Sequence, residues 1–310
     1  MSRLRIVLWI AVGTLLLATP LLAQDKNQQG RGQVVVTVLA KDGGEAPASI
    51  SQQDLKIAVN GKQSSVTNWV PLQGPEDNLE LVLLIDNSVG TSLGTQLDDM
   101  AHFIQSLPPT AKSNIAYMDH GNAVLTGPLS TDRTIMLRGL HLPQGIRASN
   151  ASPYFCLSEL AKHWPSGDRK ARRAVVMVTN GIDNFDVRYD PYDPYVQTAI
   201  ADSVRAGLTV YSIFWRGNGS PRALDAGQNY LSEVTRATGG YNYGWGTVNP
   251  VSVEPYFKNL TRRLNNQYRL SFLTGLNGKP EIESLKLKFR VQDAEIDAPE
   301  QVFVGRAAVD

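Results

Sequence analysis

Leu79-Glu80-Leu81-Val82-Leu83-Leu84-Ile85, running into Asp86-Asn87-Ser88-Val89-Gly90, is the stretch from which the fold is read. Seven residues with a single charge are too few for a typical helix, and a polar turn bounds them. Such a run reads as a strand buried on both faces. Beyond the turn, Leu93, Leu97, Met100, Ile104 and Leu107 recur in steps of three and four, which puts them on one helical face. Pro108-Pro109 ends that helix, because proline lacks the amide a helix interior needs.

The same alternation continues downstream. Residues 115–118 and 123–125 read as short strands. Ser152-Pro153 reads as a helix start, with the serine hydroxyl able to cap free amides and the proline suited to the first turn. Leu157, Leu160, Ala161 and Trp164 supply that helix with an apolar face, on which Cys156 reads as a small core residue. Ala174-Val-Val-Met-Val178 is a second buried strand. Asp193-Pro194 opens a helix that Gly207 is placed to end. Residues 208–214 form the next strand, Leu231 and Val234 mark a helix ending at Gly239-Gly240, and residues 253–264 form the last helix. Strands alternating with amphipathic helices predict a mostly parallel, Rossmann-like sheet covered by helices on both faces.

The flanks differ. Residues 34–39, 55–59 and 65–70 alternate as strands, with Asn60-Gly61 marking a tight hairpin. Residues 268–273, 284–291 and 301–304 look similar. The simplest architecture is one small antiparallel β domain built from residues 33–74 and 267–310, with the α/β domain of residues 75–266 inserted between them. Two separate hairpins packed on the large domain are the alternative. Residues 1–23 carry the plan of a secretory signal: Arg3 and Arg5, an apolar run from Ile6 to Ala18, then Thr19-Pro20 ahead of Ala23. That run is shorter than the ~20 residues a membrane-spanning helix needs. Residues 24–32, polar and glycine-containing, read as a flexible leader.

Composition sets outer limits. With 42% hydrophobic and 19% charged residues over 310 positions, the chain is a folded protein rather than a low-complexity one. Its 30 basic and 29 acidic residues nearly cancel, which predicts no nucleic-acid partner. Cleavage after Ala23 removes two arginines and no acids, turning the formal net charge of +1 into −1 and leaving no membrane span. The single cysteine excludes an internal disulfide and a multi-cysteine metal site.

In open parallel sheets ligands bind at the carboxyl ends of the strands. The loops there are 86–90, 149–152 and 179–184. A strand ending in Asp86-x-Ser88, a hydroxyl-Pro at a helix start (Ser152-Pro153) and a strand followed by Asn180-Gly-Ile-Asp183-Asn184 resemble the von Willebrand factor type A domain. The segments at 34–70, Asp190-Pro-Tyr-Asp-Pro-Tyr195, Thr238-Gly-Gly-Tyr241 and Gln267-Tyr-Arg-Leu270 extend the likeness to exported bacterial proteins called von Willebrand A-related, described mainly from acidobacteria. The resemblance covers nearly all of residues 33–306.

That resemblance implies a metal-ion-dependent adhesion site, in which Asp-x-Ser-x-Ser, a Thr and an Asp surround Mg²⁺ and a partner's carboxylate completes the shell. Here Asp86 and Ser88 match, Ser152 replaces the Thr, Gly90 stands where the second Ser belongs, and Asn180 stands where the last Asp belongs. The candidate metal residues are therefore Asp86, Ser88, Ser152 and Asn180, a degenerate set expected to need no cofactor and to hold Mg²⁺ or Ca²⁺ at most weakly. On the structural reading the same residues bond loop amides and cap helices.

The expected function is an exported, periplasmic or secreted, non-enzymatic module that binds a protein partner. Its rim would comprise Asp86, Asn87, Ser88, Ser149, Ser152, Asp183, Asp186, Tyr189 and Tyr192. A structural scaffold of an envelope assembly with a dead metal site is the alternative. A serine hydrolase is weaker: Ser88 lacks the first glycine of a nucleophile elbow, and no histidine follows His163.

Overall fold

The computed structural model of the chain describes residues 28–41, 50–143, 152–185, 188–276, 278–291 and 293–307. Residues 1–23, which read as an export signal, and Ser149 and Asp186, expected in the rim, lie outside them. In chain order come β1 (Gln28–Ala40), β2 (Leu55–Val59) and β3 (Lys62–Pro71), then β4 (Leu79–Asp86), α1 (Leu97–Ser106), β5 (Lys112–Asp119), β6 (Asn122–Leu125), α2 (Arg133–Arg138) and α3 (Pro153–Lys162). There follow β7 (Arg172–Thr179), α4 (Pro194–Ala206), β8 (Leu208–Phe214), α5 (Pro221–Thr238), β9 (Asn242–Tyr243) and α6 (Glu254–Leu264). The chain closes with β10 (Gln267–Leu276), β11 (Glu281–Phe289), β12 (Ala294–Asp297) and β13 (Gln301–Arg306).

The middle of the chain forms a six-stranded sheet in the order β6-β5-β4-β7-β8-β9, parallel except for the edge strand β6. Every residue of β4 is buried, and its two faces feed different cores. Val82 and Leu84 pack with α3, α4 and α5, through Leu157, Ile200 and Leu231. Leu81, Leu83 and Ile85 pack with α1 and α6, through Phe103, Ile104, Phe257 and Leu260. A strand with apolar partners on both sides has no polar face to alternate, so the continuous apolar run is the expected signature.

The flanks do combine. Strands β10-β3-β2-β11-β13-β1 follow one another, and β10 also pairs with β1, closing an antiparallel barrel to which β12 adds along β1. Val36, Val38, Ile57, Leu270, Phe272 and Val304 fill it. The hairpin between β2 and β3 turns at Asn60 (φ 49°) and Gly61 (φ 76°), both left-handed, as a two-residue turn of this hand requires. Strand β12 carries too short a run to be legible by alternation.

One expectation needs correction. Of the stretch expected as a flexible leader, residues 28–32 belong to β1, which begins at Gln28 and pairs Gly30 with Thr274 and Gly32 with Phe272. Glycine there answers close approach rather than flexibility. A Cβ on Gly32 would lie 2.3 Å from the Phe272 ring, and one on Gly30 would lie 2.6 Å from Val304.

The α/β domain leaves and re-enters the barrel at neighbouring points. Pro71 pairs with Tyr268, and the Leu72 amide donates to the Gln267 carbonyl at 2.8 Å. Both linkers therefore run side by side, which is how an insertion leaves its host strands paired. Among the described residues no helix is long and apolar enough to cross a membrane.

Candidate functional site

The carboxyl end of β4 carries the candidate site. Asp86 is 2% exposed. Its Oδ1 accepts from the Ser88 amide at 2.8 Å, and its Oδ2 accepts from the Thr179 hydroxyl at 2.6 Å. The neighbour strands explain the second bond. Ile85 is in register with Val178, so the next residues, Asp86 and Thr179, emerge together. Thr179 in turn accepts from the Gly181 amide at 3.1 Å. This hydroxyl escapes motif matching, although its position at the end of a strand beside β4 points to it.

Asn180 turns back on its own loop, its Oδ1 accepting from the Ile182 amide at 3.0 Å. Ser152 is fully buried and caps α3, accepting from the Tyr154 amide at 3.2 Å. The Tyr154 hydroxyl reaches the Gly181 carbonyl at 2.8 Å, which ties the start of α3 to the loop after β7. A Cβ on Gly217 would sit 3.2 Å from Asn180 Nδ2 and 3.4 Å from Val89 Cα, so the first loop and Asn180 flank a single backbone position. The structure thus gathers the loops of Asp86, Ser152 and Asn180 at one end of the sheet. Asn87 Oδ1 is buried there without a hydrogen-bond partner among the described residues.

Electrostatics around this floor follow burial. The Cys156 thiol is pushed up to about 12, first by burial and then by the negative charge of Asp86. Burial raises the Tyr154 hydroxyl well above its ordinary range, with Asp183 adding to the effect. Asp183 is also buried and accepts from the Phe185 amide at 3.0 Å.

Above the floor stands an aromatic wall. Phe155, Phe185 and Tyr195 form a three-ring cluster with centroids 4.7 to 5.5 Å apart. Tyr189 packs on Tyr230 at 5.2 Å and donates its hydroxyl to Glu233. That bond, followed by burial, pushes the Tyr189 hydroxyl up to about 12. Asp190 accepts from the Tyr192 amide and Asp193 caps α4, so these acids of the loop serve its own backbone. Phe185 and Tyr192 remain 58% and 84% exposed. Phe155 stands in the first turn of α3, outside the stretches expected to form the rim, and no local motif in the sequence singles it out. The aromatic segment at 241–245 divides: Tyr243 is core, while Tyr241 and Trp245 are exposed.

No protein-family model matches the chain, and no curated protein matches its sequence. Among solved structures it is similar to an aerotolerance-related membrane protein from Bacteroides fragilis carrying multiple mutations to serines. That match has 13% identity, covers 60% of this chain and 98% of that one, and has a TM-score of 0.46. The SpRpn10 VWA domain matches at 13% identity over 59% of this chain and 94% of that one, with a TM-score of 0.42. The open conformation of the pilus adhesin SpaC from Lactobacillus rhamnosus GG matches at 9% identity over 82% of this chain, with a TM-score of 0.46. The match spans 48% of that adhesin. These are likenesses of backbone path; the chemistry of the site rests on the residues described above.

Proposed function

We propose that this chain is an exported, non-enzymatic protein-binding module. On this reading it is a von Willebrand A-like domain of the exported bacterial type, carried on a barrel, and its partner docks on the rim at the carboxyl ends of β4 and β7. The observation that carries the reading is the pair Phe185 and Tyr192, large rings held in solvent beside an acidic, hydrogen-bonded floor. Exposed aromatic area rimmed by polar groups is the usual material of a protein contact, because rigid rings lose little entropy on binding.

The donor set argues against a tightly held metal. Of Asp86, Ser88, Ser152 and Asn180, only Asp86 brings a charge, and both its oxygens accept hydrogen bonds. Asn180 and Ser152 spend an oxygen on backbone amides. Asn87 Oδ1 adds a neutral ligand and no charge. A hard dication gives up water reluctantly and needs more negative charge than one carboxylate. Among the described residues no group of three or more His, Cys, Asp or Glu gathers. Among the described residues no hydrogen bond joins Ser88 to a histidine, the general base a serine nucleophile requires.

Affinity capture from the native envelope with the wild-type chain and with Phe185→Ser/Tyr192→Ser tests the reading. A partner lost with the double variant, in a protein of unchanged melting temperature, supports docking on the rim. A partner retained in full sinks it and favours a scaffold held through the barrel. Melting with and without millimolar Mg²⁺ or Ca²⁺ tests the metal claim, for which no large shift is expected. A large upward shift abolished by Asp86→Ala would overturn it.

A further inference from the structure

We propose that the cleft between the barrel and the base of the α/β domain is a binding site for a small polyvalent oxyanion, a ligand carrying two or more phosphate or carboxylate groups. The cleft lies at the amino ends of β7 and β8, opposite the rim, and has a volume of about 540 Å³. That is within the usual range for small-molecule sites, roughly 300–1,000 Å³. From the barrel it is lined by Arg31 on β1, Arg269 on β10 and Arg306 on β13. From the α/β domain Arg169, Arg172, Arg173 and Arg205 face it. Among the described residues that line it there is no aspartate or glutamate. In a chain of 30 basic and 29 acidic residues, that is a local excess the overall charge conceals.

A charge inventory separates structural arginines from available ones. Arg172 pairs with Asp77, Arg269 with Glu76 at 3.0 Å and Arg205 with Asp202 at 3.3 Å. Arg173 lies 4.0 Å from Glu80 and donates to the Ser166 and Asp168 carbonyls. Those four explain themselves as parts of the fold. Arg31 and Arg169 are exposed and make no ion pair among the described residues, and Arg306 donates only to the Gly278 carbonyl at 3.5 Å. Among the described residues three guanidinium charges therefore remain uncompensated. Two stand on the barrel and one on the α/β domain, so a ligand using all three bridges the seam.

Two further observations point to an anion. The Arg172 side chain, which lines the cleft, is 3% exposed, and its Nε–H has no hydrogen-bond partner among the described residues. Three of the four carbonyls at the end of α4, which would repel an anion, are already engaged. The Gly207 amide takes those of Ser203 and Val204, and Arg173 takes that of Ala206 at 3.5 Å. Arginine also suits the task by shape: its planar fork matches two oxygens of a phosphate or carboxylate at once, which lysine does not.

Calorimetric titration of the full chain with inorganic tripolyphosphate at low ionic strength tests the assignment, with citrate as the tricarboxylate arm. Saturable binding is expected, weakened at least about tenfold in Arg31→Gln/Arg169→Gln and unchanged in Arg138→Gln, which lies outside the cleft. Among the described residues neither cleft arginine has a folding partner to lose, so the double variant should melt at the wild-type temperature. Binding of tripolyphosphate alone assigns the site to phosphate ligands, whereas binding of both with the same loss assigns it to oxyanions generally. Absence of saturable binding by either anion overturns the proposal. So does full affinity in the double variant, or an equal loss in Arg138→Gln.

Discussion

At the carboxyl ends of β4 and β7 most polar side chains bond to their own loops, and the bond from Thr179 to Asp86, 93 residues apart, is the exception. Asp86 meets the Ser88 amide, Ser152 that of Tyr154, Asn180 that of Ile182 and Asp183 that of Phe185, each two residues away. At the amino ends of the same strands the buried polar groups reach across the chain. Arg172 donates to the Leu264 carbonyl, 92 residues away, to Gln267 and to Asp77, while Glu80 accepts from Trp164, 84 residues away. Local bonds shape a loop without deciding where domains sit; distant ones hold elements in place. The rim is thus built so that its surface can change at small expense to the fold, and the base is built as the joint between two domains.

The sharpest way to break this contrast is to cut the joint. Arg172→Met removes three distant bonds and leaves Asp77 facing an apolar chain. Destabilisation of about 3 kcal/mol is expected, read by urea denaturation. A loss below about 1 kcal/mol would mean that the seam is held elsewhere, by Arg263 with Asp297 or by Gln267 with the Tyr211 hydroxyl. Asp86→Ala should come second, at about 2 kcal/mol, because charge-assisted bonds to an amide and a hydroxyl are lost together. Asn180→Ala, which loses a single neutral bond, should remove about 1 kcal/mol. Equal effects at 86 and 180 would erase the special place given to the bond between Asp86 and Thr179.

The same contrast explains what the sequence disclosed. Two-residue bonds leave local signatures, so Asp86-x-Ser88, Ser152-Pro153, Asp193-Pro194 and Asn60-Gly61 were each legible, as were the apolar periods of β4 and α1. The partners of Arg172 lie more than ninety positions away and leave no pattern, so the arginine cleft was invisible in a nearly neutral composition. Thr179 stood between these cases, since its role depends on the register of two strands that sequence places side by side only by inference. Gly30 and Gly32 misled for a related reason. A glycine that admits a distant ring and one that loosens a leader look the same in one dimension.

Gly227 offers a finer probe of the rim. It lies in the interior of α5, where alanine ordinarily stabilises a helix by about 1 kcal/mol. Its Cβ would meet the Asn180 carbonyl oxygen at 2.2 Å and Gly181 carbon at 2.9 Å, both backbone atoms that cannot rotate away. Gly227→Ala should therefore destabilise by roughly 1–2 kcal/mol and shift the loop after β7. Stabilisation instead would show that this loop yields easily, and that the rim floor is softer than its hydrogen bonds imply.

The smallest effect concerns Glu233, which joins the aromatic wall to α5. Burial raises its carboxyl above the ordinary 4.5, while the bond from Tyr189 pulls it partly back. The folded chain then holds this proton more tightly than the unfolded one. The stability that the neutral acid contributes is present in full below about 4.5 and fades as pH rises through the folded value. At neutral pH wild type bears the burden of an ionised, half-covered carboxylate. Glu233→Gln keeps an oxygen for the Tyr189 hydroxyl and removes that burden. It should match or exceed wild type near pH 7 by less than about 1 kcal/mol, since solvent screens much of the effect, and lose the advantage in acid. Tyr189 has the same sign at the other end of the scale: its contribution declines between about 10 and about 12, and Tyr189→Phe should flatten that step. Denaturation curves collected across pH decide the matter. If Glu233→Gln is less stable than wild type at pH 7 and level with it at pH 4, the ionised carboxylate is the form that holds Tyr189. The wall of the rim would then rest on a charge, as the joint at Arg172 does, and the difference between the two ends of the sheet would narrow to one of distance along the chain.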